Sequence, residues 1–225
     1  MAGDTRVNTA TSSSMEKDLM EVRDLEVGDT VQGLDVNMNP ATCSVAAIGY
    51  FGEGPTFGNY TSDHFILDSE TSTVRPNGNG GEMKTVDKYA VLTSCPVGID
   101  ESGVGFTAVD SDFLGDEPLT WSDYVVIHES IYKIVTEVGP FVFWPETYTS
   151  MEKVKQYTNK LYKTMLKCAK NAITCDAFEK AAEDLVDNAL TDNAKAKVKK
   201  GFGNFGKPNK PGSISAVVSK GKSVV

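Results

Sequence analysis

The sequence predicts a mainly β fold followed by a small α-helical C-terminal extension, and three observations carry that reading. From residue 20 to about 115, short apolar runs are separated by clusters of Gly, Asp, Asn and Pro, the punctuation of strands joined by tight turns. At Leu119-Thr-Trp-Ser-Asp-Tyr124 the composition shifts, and beyond it apolar residues recur three and four apart, the period of a helix face. Residues 193–225 then hold eight lysines and no acid in a Gly-, Ser- and Pro-rich stretch that cannot bury enough apolar surface to offset its ordering entropy. The expected organisation is a β domain over 1–118, a helical extension over 119–192 and a disordered basic tail over 193–225.

Among the strands, Val27–Leu34, Cys43–Phe51, His64–Leu67 and Tyr89–Leu92 have the clearest apolar pattern, each short and at the spacing of a sandwich or barrel. The stretch Arg75-Pro-Asn-Gly-Asn-Gly-Gly81 reads as a loop, because its glycines and asparagines suit positive φ and supply nothing to pack. Val125, His128, Ile131, Val135 and Val138 share one face of a helix over 121–138, which Gly139-Pro140 stops. Its β-branched content works against helix propensity. Two more amphipathic helices follow: one keeps Met151, Val154, Leu161, Met165 and Ala169 on a face, the other Phe178, Ala182, Leu185, Val186 and Ala189, ending near Leu190. Asp24-Leu-Glu-Val-Gly-Asp-Thr-Val31 also echoes Lys84-Thr-Val-Asp-Lys-Tyr-Ala-Val91, each readable as an acidic turn leading into a strand.

Bulk properties exclude several classes. With 225 residues, 40% apolar and 24% charged, the chain has the composition of a folded globular protein. No apolar run reaches the roughly 18 residues of a transmembrane span, and the first residues have neither the basic nor the apolar region of a signal peptide. The net charge of -9 hides an acidic body: residues 1–192 carry 14 basic and 31 acidic side chains, a balance of -17, which disfavours nucleic acid as a partner. The basic tail reads as solvated chain, with contact to an anionic surface or nucleic acid as the lesser alternative. The four cysteines, at 43, 95, 168 and 175, form no CxxC, and only His64 and His128 could join them, so neither a metal nor another cofactor is expected. Cys168 and Cys175, seven apart, fit either a disulfide or two buried thiols. Cys95 reads as a buried structural cysteine, with a second thiol near the site as the alternative.

The residues with the most chemistry are Thr61 and His64, in Tyr60-Thr-Ser-Asp-His-Phe-Ile-Leu67. A Thr-x-x-His at the start of a strand can bring a hydroxyl and an imidazole onto one backbone amide. The imidazole protonates or polarises the amide while the hydroxyl holds its carbonyl oxygen, which favours attack by a neighbouring nucleophile. On its own the tetrapeptide is common; its place in a series is more informative. Ala2-Gly-Asp-Thr-Arg-Val7 opens the chain, then come Met20-Glu-Val-Arg-Asp-Leu-Glu-Val-Gly-Asp-Thr-Val31, Thr61-x-x-His64 and Val86-Asp-Lys-Tyr-Ala-Val91.

This series resembles the Hint superfamily, the Hedgehog/intein autoprocessing domains, over residues 1 to about 95, extending at most to about 115. Their first block reads Cys-x-x-Gly-Asp-Thr, their second Leu-x-x-Gly-Asp-x-Val and their third Thr-x-x-His. The resemblance implies a Hint-type horseshoe β fold with pseudo-two-fold symmetry. It implies an activity too: cis-autoproteolysis of an upstream segment of the same polypeptide through an N-to-S acyl shift and a thioester. Thr61 and His64 match the pair that activates the scissile amide. The acceptor would be a small nucleophile, a thiol or a lipid; in Hedgehog proteins it is a sterol. Counting back from Gly3-Asp4-Thr5, the nucleophilic cysteine is expected immediately before Met1. No His-Asn pair precedes a C-terminal nucleophile, so splicing with ligation is not expected. A Hedgehog-like parent would be secreted or at the cell surface.

Asp110 and Asp112 are candidates, from chain order, for the base of the second step. The surrounding Asp110-Ser-Asp-Phe-Leu-Gly-Asp-Glu117 lacks EF-hand spacing and reads as a solvated loop rather than a calcium site. His128 reads as a core or boundary histidine, and Met151, Tyr162 and Met165 as helix packing. The competing function is a non-catalytic or degenerate Hint-fold interaction module. A soluble hydrolase ranks last, since the chain has no Gly-x-Ser-x-Gly.

Overall fold

The chain folds, in a computed structural model, as an antiparallel β-sheet with helices packed on it; residues 1–9, 18–110, 115, 117–138, 147–170 and 176–198 are described. The strands are β1 (Arg6–Thr9), β2 (Asp18–Glu21), β3 (Thr30–Leu34), β4 (Pro40–Phe57), β5 (His64–Asp68), β6 (Thr73–Pro76), β7 (Met83–Thr93), β8 (Val97–Ile99), β9 (Gly105–Asp110) and β10 (Leu119–Thr120). A 3-10 turn, Val22–Asp24, follows β2. The helices are α1 (Trp121–Val138), α2 (Met151–Ala169), α3 (Asp176–Ala189) and α4 (Asp192–Val198). The sheet runs β10-β6-β5-β9-β8-β3-β1-β2, with β4 pairing both β3 and β7, and it does not close. The molecule is therefore mainly β, as the punctuation of the sequence predicts.

Two strands are longer than expected. β4 has 18 residues and β7 has 11, and they pair from Val45 and Thr93 out to Phe57 and Met83. Two irregularities in their ladder, at Val45/Ala47 and Tyr50/Glu53, let so long a ribbon twist while keeping its inward residues buried. β3 starts later than Val27, because Asp29 folds back: its carboxylate accepts the Glu26 amide (2.8 Å), and its own amide bonds the Glu26 carbonyl (3.1 Å). Arg75 and Pro76 close β6 rather than open a loop, Arg75 pairing with Ile66. The echo between Asp24–Val31 and Lys84–Val91 does not survive in three dimensions: the first is a turn entering β3, the second lies wholly within β7.

The helix expected over 121–138 forms despite its β-branched residues, because packing overrides propensity. Tyr124, Ile127, Ile131 and Val135 are buried in one cluster with Phe65, Val74, Leu92 and Val97 of the sheet and with Leu161, Met165 and Leu185 of α2 and α3. Polar groups fix the same face: Trp121 Nε1 donates to the Val36 carbonyl (2.8 Å) and the Tyr124 hydroxyl to that of Pro96 (2.8 Å). Ser150 caps α2 by accepting the Lys153 amide (3.2 Å). Helical structure also continues past residue 192, where the tail was expected to begin, since Thr191 caps α4 through its hydroxyl and carbonyl. The rest of the expected tail, from 199, lies outside the described residues.

A second cluster, made of Met1, Val7, Val22, Leu25, Val31, Val45, Tyr60, Val91 and Phe106, surrounds the Cys43–Cys95 disulfide. Cys95 is thus a buried structural cysteine, as half of a disulfide, and not a thiol near the site. Cys168 is disulfide-bonded as well, while Cys175 lies outside the described residues.

Candidate functional site

The first three residues are threaded into the sheet. The Met1 amine donates to the Tyr89 carbonyl (2.6 Å), and the Met1 carbonyl accepts the Tyr89 amide (2.8 Å). The Ala2 amide bonds the Asn59 carbonyl (2.7 Å) and the Gly3 amide that of Asp87 (2.8 Å). A Cβ at Gly3 would stand 2.7 Å from Cε2 of the Tyr89 ring, so any larger residue would have to displace that ring. Met1 and Ala2 are almost wholly buried.

Burial has an electrostatic consequence at the chain's first nitrogen. Removal from water holds the Met1 amine down at about 5, against an ordinary value of 8.0. The negative charges of Asp110 and Asp63 oppose this, and the positive charge of Lys88 adds to it. At neutral pH the nitrogen is uncharged, and it donates to the Tyr89 carbonyl as a backbone amide would.

His64 lies within electrostatic reach of this nitrogen, at the first position of β5 and opposite Asp110 at the end of β9. Its imidazole is buried, which holds its pKa well below the ordinary value. The nearby Met1 amine pushes the same way, and a hydrogen bond to the Thr107 backbone opposes both. Nε2 has no hydrogen-bond partner among the described residues. The ring is a neutral imidazole with one free polar atom in a dry site, able to exchange a proton with a group brought against it.

Thr61 is half-buried, and its carbonyl accepts the His64 amide (3.2 Å), closing the turn that launches β5. The turn is clamped from the 77–78 loop: the Asn77 amide bonds the His64 carbonyl (2.8 Å) and the Gly78 amide that of Ser62 (2.7 Å). The Asn77 side chain reaches the carbonyls of Phe57 (3.2 Å), Tyr60 (3.4 Å) and Thr61 (3.5 Å). His64 and Asp110 face each other across β5 and β9 and both lie within electrostatic reach of the Met1 amine, Thr61 closes the turn before His64, and Asp112 lies outside the described residues. His128 is elsewhere, on α1, its Nε2 donating to the Thr93 carbonyl (2.9 Å).

Residues that the sequence does not single out complete the surroundings. The Tyr60 ring stacks on His64, centroids 5.3 Å apart and planes 17° from parallel. The Tyr60 hydroxyl donates to Asp100 (2.8 Å), a carboxylate 1% exposed. In sequence, Asp100-Glu-Ser-Gly103 reads as a turn between strands, and only the fold brings it under Tyr60. Among the described residues no cluster of His, Cys, Asp and Glu could hold a metal ion, and no helix is long and apolar enough to cross a membrane. No protein-family model and no curated protein matches the chain.

Proposed function

We propose that this chain is the body of a Hint-type autoprocessing domain, which cleaves an upstream segment of its own polypeptide through a thioester. The observation that carries the reading is the Met1 nitrogen, buried, uncharged at neutral pH and bonded to Tyr89 as a sheet amide is, within electrostatic reach of an imidazole whose Nε2 has no partner among the described residues. An ammonium is costly in such a place, whereas an amide nitrogen fits it without a desolvated charge. A residue joined to Met1 would enter the surroundings of His64.

With a cysteine at that position, its thiolate attacks the carbonyl carbon of its own upstream peptide bond. His64 Nε2 takes the thiol proton, a C–S bond forms as the C–N bond breaks, and the imidazolium returns that proton to the departing amine nitrogen. Thr61 holds the turn that aims His64. A second nucleophile then displaces the cysteine sulfur from the thioester, releasing the upstream segment, with Asp110 as the base that takes the nucleophile's proton. No oxidation or reduction is involved. The horseshoe architecture of the family belongs to this same proposal.

The test extends the chain by a cysteine and a short peptide before Met1 and adds hydroxylamine, which cleaves thioesters without reducing Cys43–Cys95. Cleavage at the cysteine is expected, slowed about 100-fold or more by His64→Ala. An extended chain that stays intact while folded, or a His64→Ala variant that cleaves like the parent, overturns the reading and leaves a non-catalytic interaction module.

A further inference from the structure

Asp100 is a buried carboxylate with no ion-pair partner among the described residues, and it is saturated with donors. Oδ1 accepts the Ser102 amide (2.9 Å), the Ser102 hydroxyl (2.6 Å) and the Val104 amide (2.9 Å); Oδ2 accepts the Tyr60 hydroxyl (2.8 Å) and the Asn59 side chain (3.3 Å). Its backbone is pinned too. The Asp100 amide bonds the Val104 carbonyl (3.1 Å), the Gly103 amide bonds the Asp100 carbonyl (3.0 Å), and the next amide, Glu101, bonds Arg6 of β1 (2.9 Å). The acceptor is thus fixed relative to β1, β8 and β9. A capped turn needs only Oδ1. The use of Oδ2 is to fix the far end of Tyr60, whose backbone carbonyl is held by the Phe57 amide (2.7 Å).

Tyr60 is therefore held at both ends, and the face between them lies on His64. A ring clamped in that way limits rotation of the imidazole beneath it. We infer that Asp100 and Tyr60 form a positioning pair: the Asp100 carboxylate anchors the Tyr60 ring, and the ring sets the orientation of the His64 imidazole and hence the direction of Nε2. Neither residue touches the reacting atoms. The assignment rests on the reading of His64 as the group that activates the scissile amide.

The experiment has an arm that needs no cleavage. In the full chain labelled with nitrogen-15, the imidazole signals of His64 report its tautomer and its mobility, and those of His128, outside the site, report the integrity of the fold. Tyr60→Phe keeps the ring and removes the anchor; Asp100→Asn weakens it. Both are expected to broaden the His64 signals or split its tautomer population while His128 is unchanged. In the cysteine-extended chain, each is expected to slow hydroxylamine cleavage about tenfold, as a misaimed catalytic group does. The double variant should be no slower than either single one, since both act through one chain of contacts. Unchanged His64 signals and an unchanged rate in a folded Tyr60→Phe overturn the positioning pair and leave the role of His64 standing. If instead His64→Ala cleaves like the parent, the activating role fails, and the His64 signals alone decide whether the pair orients the ring.

Discussion

Burial leaves the two histidines and the first nitrogen of this chain uncharged at neutral pH, all for want of water. For His128 the effect can be put to a measurement. Its pKa is held down to about 4 from 6.5 by burial, against the opposing pull of the Thr93 carbonyl. Between those values the unfolded chain binds a proton that the folded one does not, so stability is complete above about pH 6.5 and is lost as the pH falls toward 4. The loss attributable to this residue approaches about 3 kcal/mol. Urea unfolding at a series of pH values should show that slope, and His128→Leu should flatten it whatever its effect on stability at neutral pH. His64 and the Met1 amine act in the same direction and leave a residual slope in the variant. An undiminished slope in His128→Leu would show that the imidazole reaches water.

Among the elements, β4 and β7 carry both the long ribbon and the disulfide. Cys43 lies in β4 and Cys95 follows β7, 52 residues apart in sequence, so the bond closes a long loop in the unfolded chain. A loop of this length is worth about 4 kcal/mol in chain entropy. Replacing both cysteines by serine should lower the unfolding free energy by about that amount, and reduction of the parent, which also opens the disulfide of Cys168, should lower it by at least as much. A change under about 1 kcal/mol would mean that the two strands are already restrained in the unfolded state. The linkage was not legible in sequence, because spacing constrains a disulfide only when the residues are close in the chain. β5 differs: its start at His64 could be read directly, since Thr61-Ser-Asp is turn-forming and Phe-Ile-Leu is strand-forming. The clamp on that turn could not, because Asn77 looks like any residue of an Asn-Gly loop until its side chain is seen to reach three carbonyls.

The whole molecule shares its larger core between sheet and helices. Phe65, Val74, Leu92 and Val97 from the strands are covered by Tyr124, Ile127 and Ile131, and these in turn meet α2 and α3. A chain ending at Thr120 should therefore lose near-ultraviolet circular dichroism, bind a hydrophobic dye and unfold without a sharp transition. Cooperative unfolding of that shorter chain would show that the β part is independent. The sequence by itself determined the mainly β class, the cores of four strands and the limits of α1, because periodicity and turn chemistry are local. It also marked Thr61 and His64, whose spacing is local too. Only the tertiary structure decided that α1 lies on Phe65 and Leu92, that Cys43 meets Cys95, and that Asp100 reaches His64 through Tyr60. Those meetings depend on strand register and sheet order, in which residues tens of positions apart are brought together by burial that no short window of sequence records.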